Sequence, residues 1–305
     1  MRADVRVAVE AALGARVIES RSVSGGDINE AHRAELEDGR RVFVKTHARH
    51  VRALRPSAPS YSLRSLGSLH EPRAPAEMFA AEAHGLSWLR DARAIAIPEV
   101  LAVGDRFLAL EWLESGRPRA GFDDELGRGL AELHRHGAPS FGLERDNFIG
   151  RLPQDNTPAI SWAELYAERR LRPMAWSARR LLGPQTLAGL ERLCGRLPSL
   201  LGPDEPPARL HGDLWGGNLH VTPNGAPCLI DPAVYGGHRE VDLAMMRLFG
   251  GFSERVFSAY EEAFALAPGH RERVDLYQLY PLLVHVNLFG QSYVGAVQNA
   301  LGRYV

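Results

Sequence analysis

The sequence predicts an α+β fold in two parts: an N-terminal antiparallel five-stranded sheet with a helix, residues 1–112, and a larger, mainly helical part, residues 113–305. Three observations support this prediction. Short segments that alternate apolar and polar residues come before residue 112 and indicate strands. Apolar residues at helical spacing dominate after residue 120. Between the two parts, "ESGRP" at 114–118 has the composition of a linker.

The N-terminal part alternates strands with two helices. In chain order the predicted elements are a helix over 3–13, strands over 15–23, 28–36 and 40–45, a helix from about Pro75 to Ala92, and strands over 98–105 and 106–113. Asp38-Gly39 is a strong signal for a two-residue hairpin turn. Lys45 therefore ends the third strand of a meander.

The segment 46–76 separates this meander from the next helix. It is rich in Arg, Ser and Pro, and Glu71 is its single acidic residue. A loop of this length is unusual in a compact domain. Two interpretations stay open: a mobile or partly helical surface loop, and a basic lid or arm that recruits an anionic ligand.

The C-terminal part is predicted to be mostly helical. "DDELGRGLAELHRHG" has an apolar stripe, with Asp123 as the expected N-cap. Ser161 and Glu164 have the spacing of a capping box. Segments after Val241 also have helical patterning.

Composition narrows the class of protein. The chain has 305 residues, 45% hydrophobic, a formal net charge of -1 and two distant cysteines, Cys194 and Cys228. The near-neutral charge does not indicate a nucleic-acid-binding protein. The sequence has no apolar run long enough to span a bilayer, and two distant cysteines do not indicate a disulfide framework. The N-terminus lacks the apolar core of a signal peptide. We expect a cytoplasmic globular protein, monomeric or weakly dimeric, with no membrane or nucleic-acid partner.

Lysine usage is the most unusual compositional feature. The chain has 35 arginines and one lysine, Lys45. An ammonium is a compact point charge on a thin stem, whereas a guanidinium is a flat fork of five donors. A site that needs the first geometry is one explanation for this single lysine, and drift is the other.

The segment "LHGDLWGGNLHV", 210–221, carries the strongest chemical motif. Asp213 and Asn218 are five apart, and Asp231 follows a short apolar strand. Phosphotransferases of protein-kinase type space a catalytic carboxylate, a metal-binding amide and a metal-binding carboxylate in this way. Asp213 would accept the proton of a hydroxyl, and Asn218 and Asp231 offer the hard oxygens that Mg²⁺ prefers. The alternative is a hairpin in which these residues only make turns.

Other residues fit the same chemistry. A lysine ending the third strand would contact ATP phosphates and be held by a glutamate of the next helix; Glu82 is favoured over Glu77 because it lies nearer the helix middle. Further candidates are Gly25 and Gly26 for the triphosphate and the backbone of Glu111, Trp112 and Leu113 for adenine. His211 is expected to be structural. Asp242 either braces the catalytic loop or caps its helix.

Taken together, these motifs resemble the fructosamine kinase (ketosamine-3-kinase) family, within the aminoglycoside phosphotransferase and choline kinase-like group. The resemblance runs along nearly the whole chain and is most specific in "DPAVYGGHREVDLAMMRLFGGF", 231–252. It implies a two-lobed protein-kinase-like fold and phosphorylation of a ketosamine hydroxyl, usually at carbon 3, by ATP and Mg²⁺. It also implies the roles given above for Asp213, Asn218, Asp231, Lys45 and Glu82. The candidates for sugar contact are Trp215, Tyr235, His238, Arg239 and Glu240.

Two features depart from the family pattern, and two other functions stay open. The Arg-rich segment after Lys45 is longer than the family pattern predicts. Gly236 stands where the family often has a second aromatic residue after Tyr235, a difference that bears on the preferred sugar or amine. The alternatives are an aminoglycoside or amino-alcohol phosphotransferase of the same fold and a non-catalytic, nucleotide-binding pseudokinase.

Overall fold

A computed structural model describes residues 1–23, 29–47 and 76–305. It divides into two compact units, one formed by Met1–Ala83 and Glu99–Trp112 and the other by His84–Pro98 and Leu113–Val305. This division differs from the predicted lobes, 1–112 and 113–305, in placing His84–Pro98 with the second unit. The Arg-rich segment 46–76 lies outside the described residues except at its two ends.

The first unit is built on a five-stranded antiparallel sheet. Its elements are α1 (Ala3–Leu13), β1 (Val17–Val23), β2 (Asn29–Leu36), β3 (Arg41–His47), the start of α2 (Ala76–Asp91), β4 (Val100–Gly104) and β5 (Phe107–Glu111). The strand order is β1-β2-β3-β5-β4, so β3 is central. Gly39 takes a φ of 84° in the predicted hairpin turn between β2 and β3. The predicted five-stranded sheet is confirmed.

Side chains on β3 alternate between two environments. Val42 and Val44 are fully buried in a cluster with Val5 and Val9 of α1. Burying a valine side chain contributes about 1.5–3 kcal/mol, so this face anchors the helix. Because successive strand residues point to opposite faces, Lys45 lies on the other face, opposite Ala31 and Leu108 in the register.

The second unit is mainly helical. Its elements after α2 are α3 (Phe122–His136), β6 (Asn147–Ile149), β7 (Leu152–Gln154), α4 (Trp162–Leu165), α5 (Arg172–Ser177), α6 (Arg179–Leu200), β8 (Ala208–Leu210), β9 (Leu219–Val221), β10 (Pro227–Leu229), β11 (Tyr235–Gly237), α7 (Glu240–Phe249), α8 (Glu254–Ala263), α9 (Val274–Phe289) and α10 (Val294–Leu301). Three two-stranded pairs, β8 with β11, β9 with β10 and β6 with β7, lie among these helices. Throughout the described ranges, no helix is long and apolar enough to cross a membrane.

Helix starts in this unit follow the sequence signals in one case and not in another. Ser161 Oγ accepts a hydrogen bond from the Glu164 N–H at 3.2 Å, as expected of a capping box. The Glu164 carboxylate accepts the N–H of Ile160, one residue before the Ser161 N–H that a capping box would use. Asp123 does not cap α3. The helix begins at Phe122, two residues earlier than predicted, and its N-cap is Gly121 in the left-handed region (φ 81°). Asp123 instead accepts a hydrogen bond from Ser253 Oγ.

Candidate active site

The first unit pairs its lysine with an acid. Lys45 Nζ donates to Glu82 Oε1 at 2.7 Å, and the two side chains are 10% and 15% exposed. Glu77 lies exposed in the first turn of α2, away from the buried face of that helix. Burial of an ammonium is costly unless a carboxylate compensates it, so Glu82 holds the Lys45 ammonium in place two residues before the end of β3.

The second unit places the His-Gly-Asp motif at the end of the buried strand β8. Gly212 has a φ of 83°, and a Cβ there would lie 2.0 Å from the carbonyl oxygen of Ala233. No residue other than glycine fits this position. The strand can therefore turn sharply and present Asp213, whose side chain remains partly exposed.

Asp242, in the first turn of α7, holds the start of this loop. Its Oδ2 accepts the His211 N–H at 2.8 Å and its Oδ1 accepts the Gly212 N–H at 2.9 Å. His134 Nε2 contacts Oδ2 at 3.1 Å, and Tyr260 lies 2.8 Å from the other ring nitrogen. Of the two roles open for Asp242, the structure supports the brace: the carboxylate bonds the loop and not the helix end.

The same contacts set the charge of Asp242. Burial acts to raise its pKa, but the hydrogen bond and charge of His134, together with the Gly212 N–H, hold the pKa below its ordinary value. His134 and Tyr260 were not predicted from the sequence. The available signal was that His134 continues the apolar stripe of α3, four residues after Leu130.

Asn218 connects both predicted carboxylate residues. It ends a 3₁₀ turn, Gly216–Asn218, and its Nδ2 donates to the Asp213 carbonyl at 2.8 Å, to Asp213 Oδ2 at 3.3 Å and to the Asp231 carbonyl at 3.4 Å. The backbone carbonyl of Asn218 also accepts the Ile230 N–H at 3.0 Å. The amide nitrogen thus faces protein acceptors, and the amide oxygen is the atom that suits a cation.

Asp231 adopts a rare backbone conformation. Its φ is 54°, and outside glycine such values cluster at functional sites. Burial, together with the negative charges of Asp231 and Asp242, raises the pKa of Asp213 to about 7 against the opposing effect of the Asn218 hydrogen bond. A carboxylate with a pKa near neutrality suits general base catalysis at physiological pH.

This donor set fits a magnesium ion. Asn218 and Asp231 supply an amide oxygen and a carboxylate, and Mg²⁺ is usually held by one or two carboxylates with phosphates and waters completing the shell. Among residues 1–23, 29–47 and 76–305, no group of three His, Cys, Asp or Glu side chains forms a complete metal cage.

The residues predicted to contact a sugar have different environments. Trp215 is 41% exposed, whereas Tyr235 is fully buried with the Arg170 guanidinium 4.0 Å from its ring centroid. Arg239 binds Glu205 through two nitrogens, at 2.7 and 2.8 Å. His238 is buried and stacks on Tyr277. Glu240 accepts two hydrogen bonds from the Arg273 guanidinium.

The residues predicted to meet ATP are only partly described. Gly25 and Gly26 lie outside the described residues. Glu111 pairs with Glu99 at the edge of the first unit, where the Glu111 N–H donates to the Glu99 carbonyl at 3.0 Å. Trp112 lies 6.4 Å from Phe43, ring centre to ring centre, and its indole nitrogen is buried without a hydrogen-bond partner among the described residues. Leu113 belongs to the second unit and is the first residue of its longer segment, Leu113–Val305.

Fold and motifs together define a phosphotransferase of the protein-kinase-like class. The first unit carries the five-stranded sheet and the buried Lys-Glu pair, and the second carries the Asp, Asn and Asp motif among helices. A choline kinase structure from Streptococcus pneumoniae has the same fold, with a TM-score of 0.61 at 14% identity, covering 98% of this chain and 97% of that one.

Sequence comparison identifies the family. Residues 68–305 match the family model described as fructosamine kinase. The "Probable ketoamine kinase" of Synechocystis sp. is 37% identical over 94% of this chain and 90% of its own length. The chloroplastic "Protein-ribulosamine 3-kinase" of Arabidopsis thaliana is 36% identical over 93% of this chain and 82% of its own. A Thermobifida fusca crystal structure described as a fructosamine-3-kinase superposes with a TM-score of 0.83 at 38% identity, covering 98% and 97% of the two chains.

The chain belongs to the fructosamine kinase family. It is therefore an ATP-using phosphotransferase, and the resemblance found in the sequence is confirmed.

Proposed function

We propose that this enzyme transfers the γ-phosphoryl group of ATP to a ketosamine hydroxyl, O3, of ribulosamine, erythrulosamine or fructosamine adducts, a deglycation activity. Family membership and the described activities of the Synechocystis and Arabidopsis relatives support this substrate class. The observation that carries the proposal is the Asp213 carboxylate, held beside the Asn218 amide with a pKa near 7.

Asp213 is proposed as the catalytic base. Its carboxylate orients the substrate hydroxyl and takes up its proton as the oxygen attacks the γ-phosphorus, while the bond from that phosphorus to the bridging oxygen of ADP breaks. The brace from Asp242 to His211 and Gly212 fixes the chain just before Asp213. The carboxylate therefore needs no reorganisation during the reaction.

Asn218 and Asp231 are proposed to hold Mg²⁺. When bound, the ion neutralises charge that develops on the phosphate oxygens. In this chain, the hydrogen bond from Asn218 Nδ2 to the Asp231 carbonyl sets the separation between the two ligands.

Lys45 is proposed to contact the ATP phosphates, with Glu82 orienting its ammonium. The 2.7 Å pair has the geometry of a charge-assisted hydrogen bond and restricts a flexible side chain. Gly25 and Gly26 are proposed to cover the triphosphate, and the backbone of Glu111, Trp112 and Leu113 to meet adenine.

Trp215 is the sugar contact that we retain. Its exposed ring suits packing on a sugar face. Tyr235, His238, Arg239 and Glu240 are proposed to support the site from behind, since each is buried against a protein partner.

The test is ATP-dependent phosphorylation of a substrate panel. We expect turnover of ribose-, erythrulose- and fructose-derived ketoamines and none of aminoglycosides or choline. Asp213→Asn should lower kcat by about 100- to 10,000-fold while leaving MgATP binding nearly intact, because it removes a positioned base. The matched control is Asp204→Asn, which changes an exposed aspartate. Turnover of aminoglycosides or choline alone would refute the substrate class, and an active Asp213→Asn variant would refute the base.

Cytoplasmic location, and a monomeric or weakly dimeric state, remain predictions. Sedimentation of the purified chain tests the second.

A further inference from the structure

The turn between α7 and α8 lies directly against the catalytic loop. Gly250 and Gly251 form it, with φ values of 70° and 91°. A Cβ added to Gly251 would lie 2.8 Å from Gly216 Cα and 3.5 Å from Gly216 N. In the reverse direction, a Cβ on Gly216 would lie 3.1 Å from Gly251 Cα. Two glycine backbones therefore meet so closely that a side chain at Gly251 requires one of them to move, and a side chain at Gly216 leaves a tight contact.

This contact is made at the far end of the same helix that braces the loop's start. Asp242, in the first turn of α7, accepts the N–H groups of His211 and Gly212. Gly251, two residues beyond the end of α7, meets Gly216. The helix and the turn that follows it thus contact the loop on the two sides of Asp213, and the second contact is at the 3₁₀ turn that ends in Asn218.

The residues that follow this turn contact α3. Ser253, at the start of α8, donates to Asp123 at 2.6 Å. Gly127 of α3 packs so closely on α8 that a Cβ there would lie 2.3 Å from the Val256 carbonyl oxygen. A displacement of the Gly250–Gly251 turn away from the loop is therefore opposed, so a clash at Gly251 would move the loop.

We propose that Gly251 is a positioning residue for the metal-binding end of the catalytic loop. Its missing side chain lets the turn support Gly216 and so sets where Asn218 presents its amide oxygen. This inference rests on the proposed role of Asn218 in Mg²⁺ binding. Gly251 acts through Gly216 and touches neither substrate nor metal.

The test compares Gly251→Ala with Gly250→Ala. Both positions carry positive φ, so both variants incur backbone strain, but a Cβ at Gly250 has nothing within 4 Å. We expect Gly251→Ala to lower kcat by about 10- to 100-fold, because a displacement of about 1 Å in a reacting group can cost 100-fold. The Mg²⁺ concentration for half-maximal rate should rise, and the KM for the ketosamine should change less than twofold. Gly250→Ala should stay within about twofold of wild type in all three.

A second readout does not depend on turnover. The increase in Tm produced by a non-hydrolysable ATP analogue with Mg²⁺, over the analogue with EDTA, reports metal binding at the site. Gly251→Ala should lose at least half of this increase, and Gly250→Ala should keep it. If Gly251→Ala fails to fold, Gly216→Ala presses on the same contact from the loop side without a positive φ; its Cβ would lie 3.1 Å from Gly251 Cα and 3.2 Å from the Gly250 carbonyl oxygen, so losses of the same kind but smaller size are expected.

Two outcomes would overturn the inference. One is equal kinetics and equal Mg²⁺-dependent stabilisation in Gly251→Ala and Gly250→Ala. The other is a loss of kcat in Gly251→Ala or Gly216→Ala without a change in either Mg²⁺ readout. A wild-type enzyme inactive on every ketoamine would refute the proposed substrate, and the stabilisation measurement would still decide the role of Gly251.

Discussion

Asp242→Asn tests whether a single buried carboxylate holds the catalytic loop. The carboxylate accepts from His211, Gly212 and His134, at 2.8, 2.9 and 3.1 Å. Asparagine keeps one oxygen and presents an NH₂ group in place of the other, so at least one buried donor faces another donor. A hydrogen bond to a charged group contributes about 1.5–3 kcal/mol, and breaking a buried ionic contact costs about 3–5 kcal/mol.

This loss should leave the chain folded. A cost of about 3–5 kcal/mol lies below typical stabilities of about 5–15 kcal/mol, and for a unit of about 200 residues it lowers Tm by about 10 °C. The kcat should also fall, by about 10-fold or more, because the brace acts on the residue next to Asp213. Differential scanning calorimetry and steady-state kinetics on one preparation measure both effects.

The effect of pH on this variant follows from the lowered pKa of Asp242. A carboxyl group whose pKa is lower in the folded than in the unfolded chain adds stability that is fully present above the unfolded value, near 4, and is lost as pH falls through the folded value. The difference in Tm between wild type and Asp242→Asn should thus be constant from about pH 6 to 8 and narrow below about pH 4.

The control is Asp275→Asn, which removes another aspartate from a first helical turn. Asp275 pairs with Arg303 at the surface, at 2.6 Å, and the two side chains are 24% and 70% exposed. Such a pair contributes about 0–1 kcal/mol. The brace is refuted if Asp242→Asn melts within about 1 °C of this control and keeps its kcat.

Two further substitutions have expected outcomes. Gly212→Ala should lower the free energy of unfolding, measured in urea, by more than about 4 kcal/mol, because its Cβ would meet a backbone oxygen at 2.0 Å. The control is Gly290→Ala, which has a similar φ of 86° but open space around the Cβ and should cost about 1–2 kcal/mol. Equal costs would show that the chain relieves the clash by moving elsewhere. Lys45→Met should lower kcat/KM for ATP by about 100- to 1,000-fold, and Lys45→Arg should not restore it because a planar fork does not replace a compact ammonium. Arg41→Met, at an exposed site on the same strand, is the control; a comparable loss there would point to general electrostatics.

Local signals predicted much of the fold. The Asp38-Gly39 turn and the alternating segments on either side fix the hairpin, so they also place Lys45 on β3, although the strand continues to His47, two residues further than predicted. The spacing of Asp213 and Asn218 likewise predicts a contact between two residues of one short loop. Such features need only neighbouring residues, which is why the sequence alone is sufficient for them.

Long-range partners could not be predicted in the same way. His134 meets Asp242 across 108 residues and Tyr260 across 126, and helical periodicity indicates only that His134 faces inward. The polar residues after Tyr235 suggested an open sugar site, yet Arg239 and Glu240 are buried against arginine- and glutamate-bearing segments more than 30 residues away. Gly251 had no signal of its own, because its role depends on a backbone that approaches from elsewhere in the chain.

The burial of Lys45 has a consequence for the protein's own chemistry. Ketosamines form when sugar aldehydes condense with amines, and lysine side chains are the amines most abundant on protein surfaces. This chain carries its other positive side chains as arginine, and its one lysine is 8% exposed and bonded to a carboxylate. Apart from an α-amine, it offers reducing sugars almost no reactive amine, so an enzyme proposed to repair glycated proteins is itself a poor substrate for glycation.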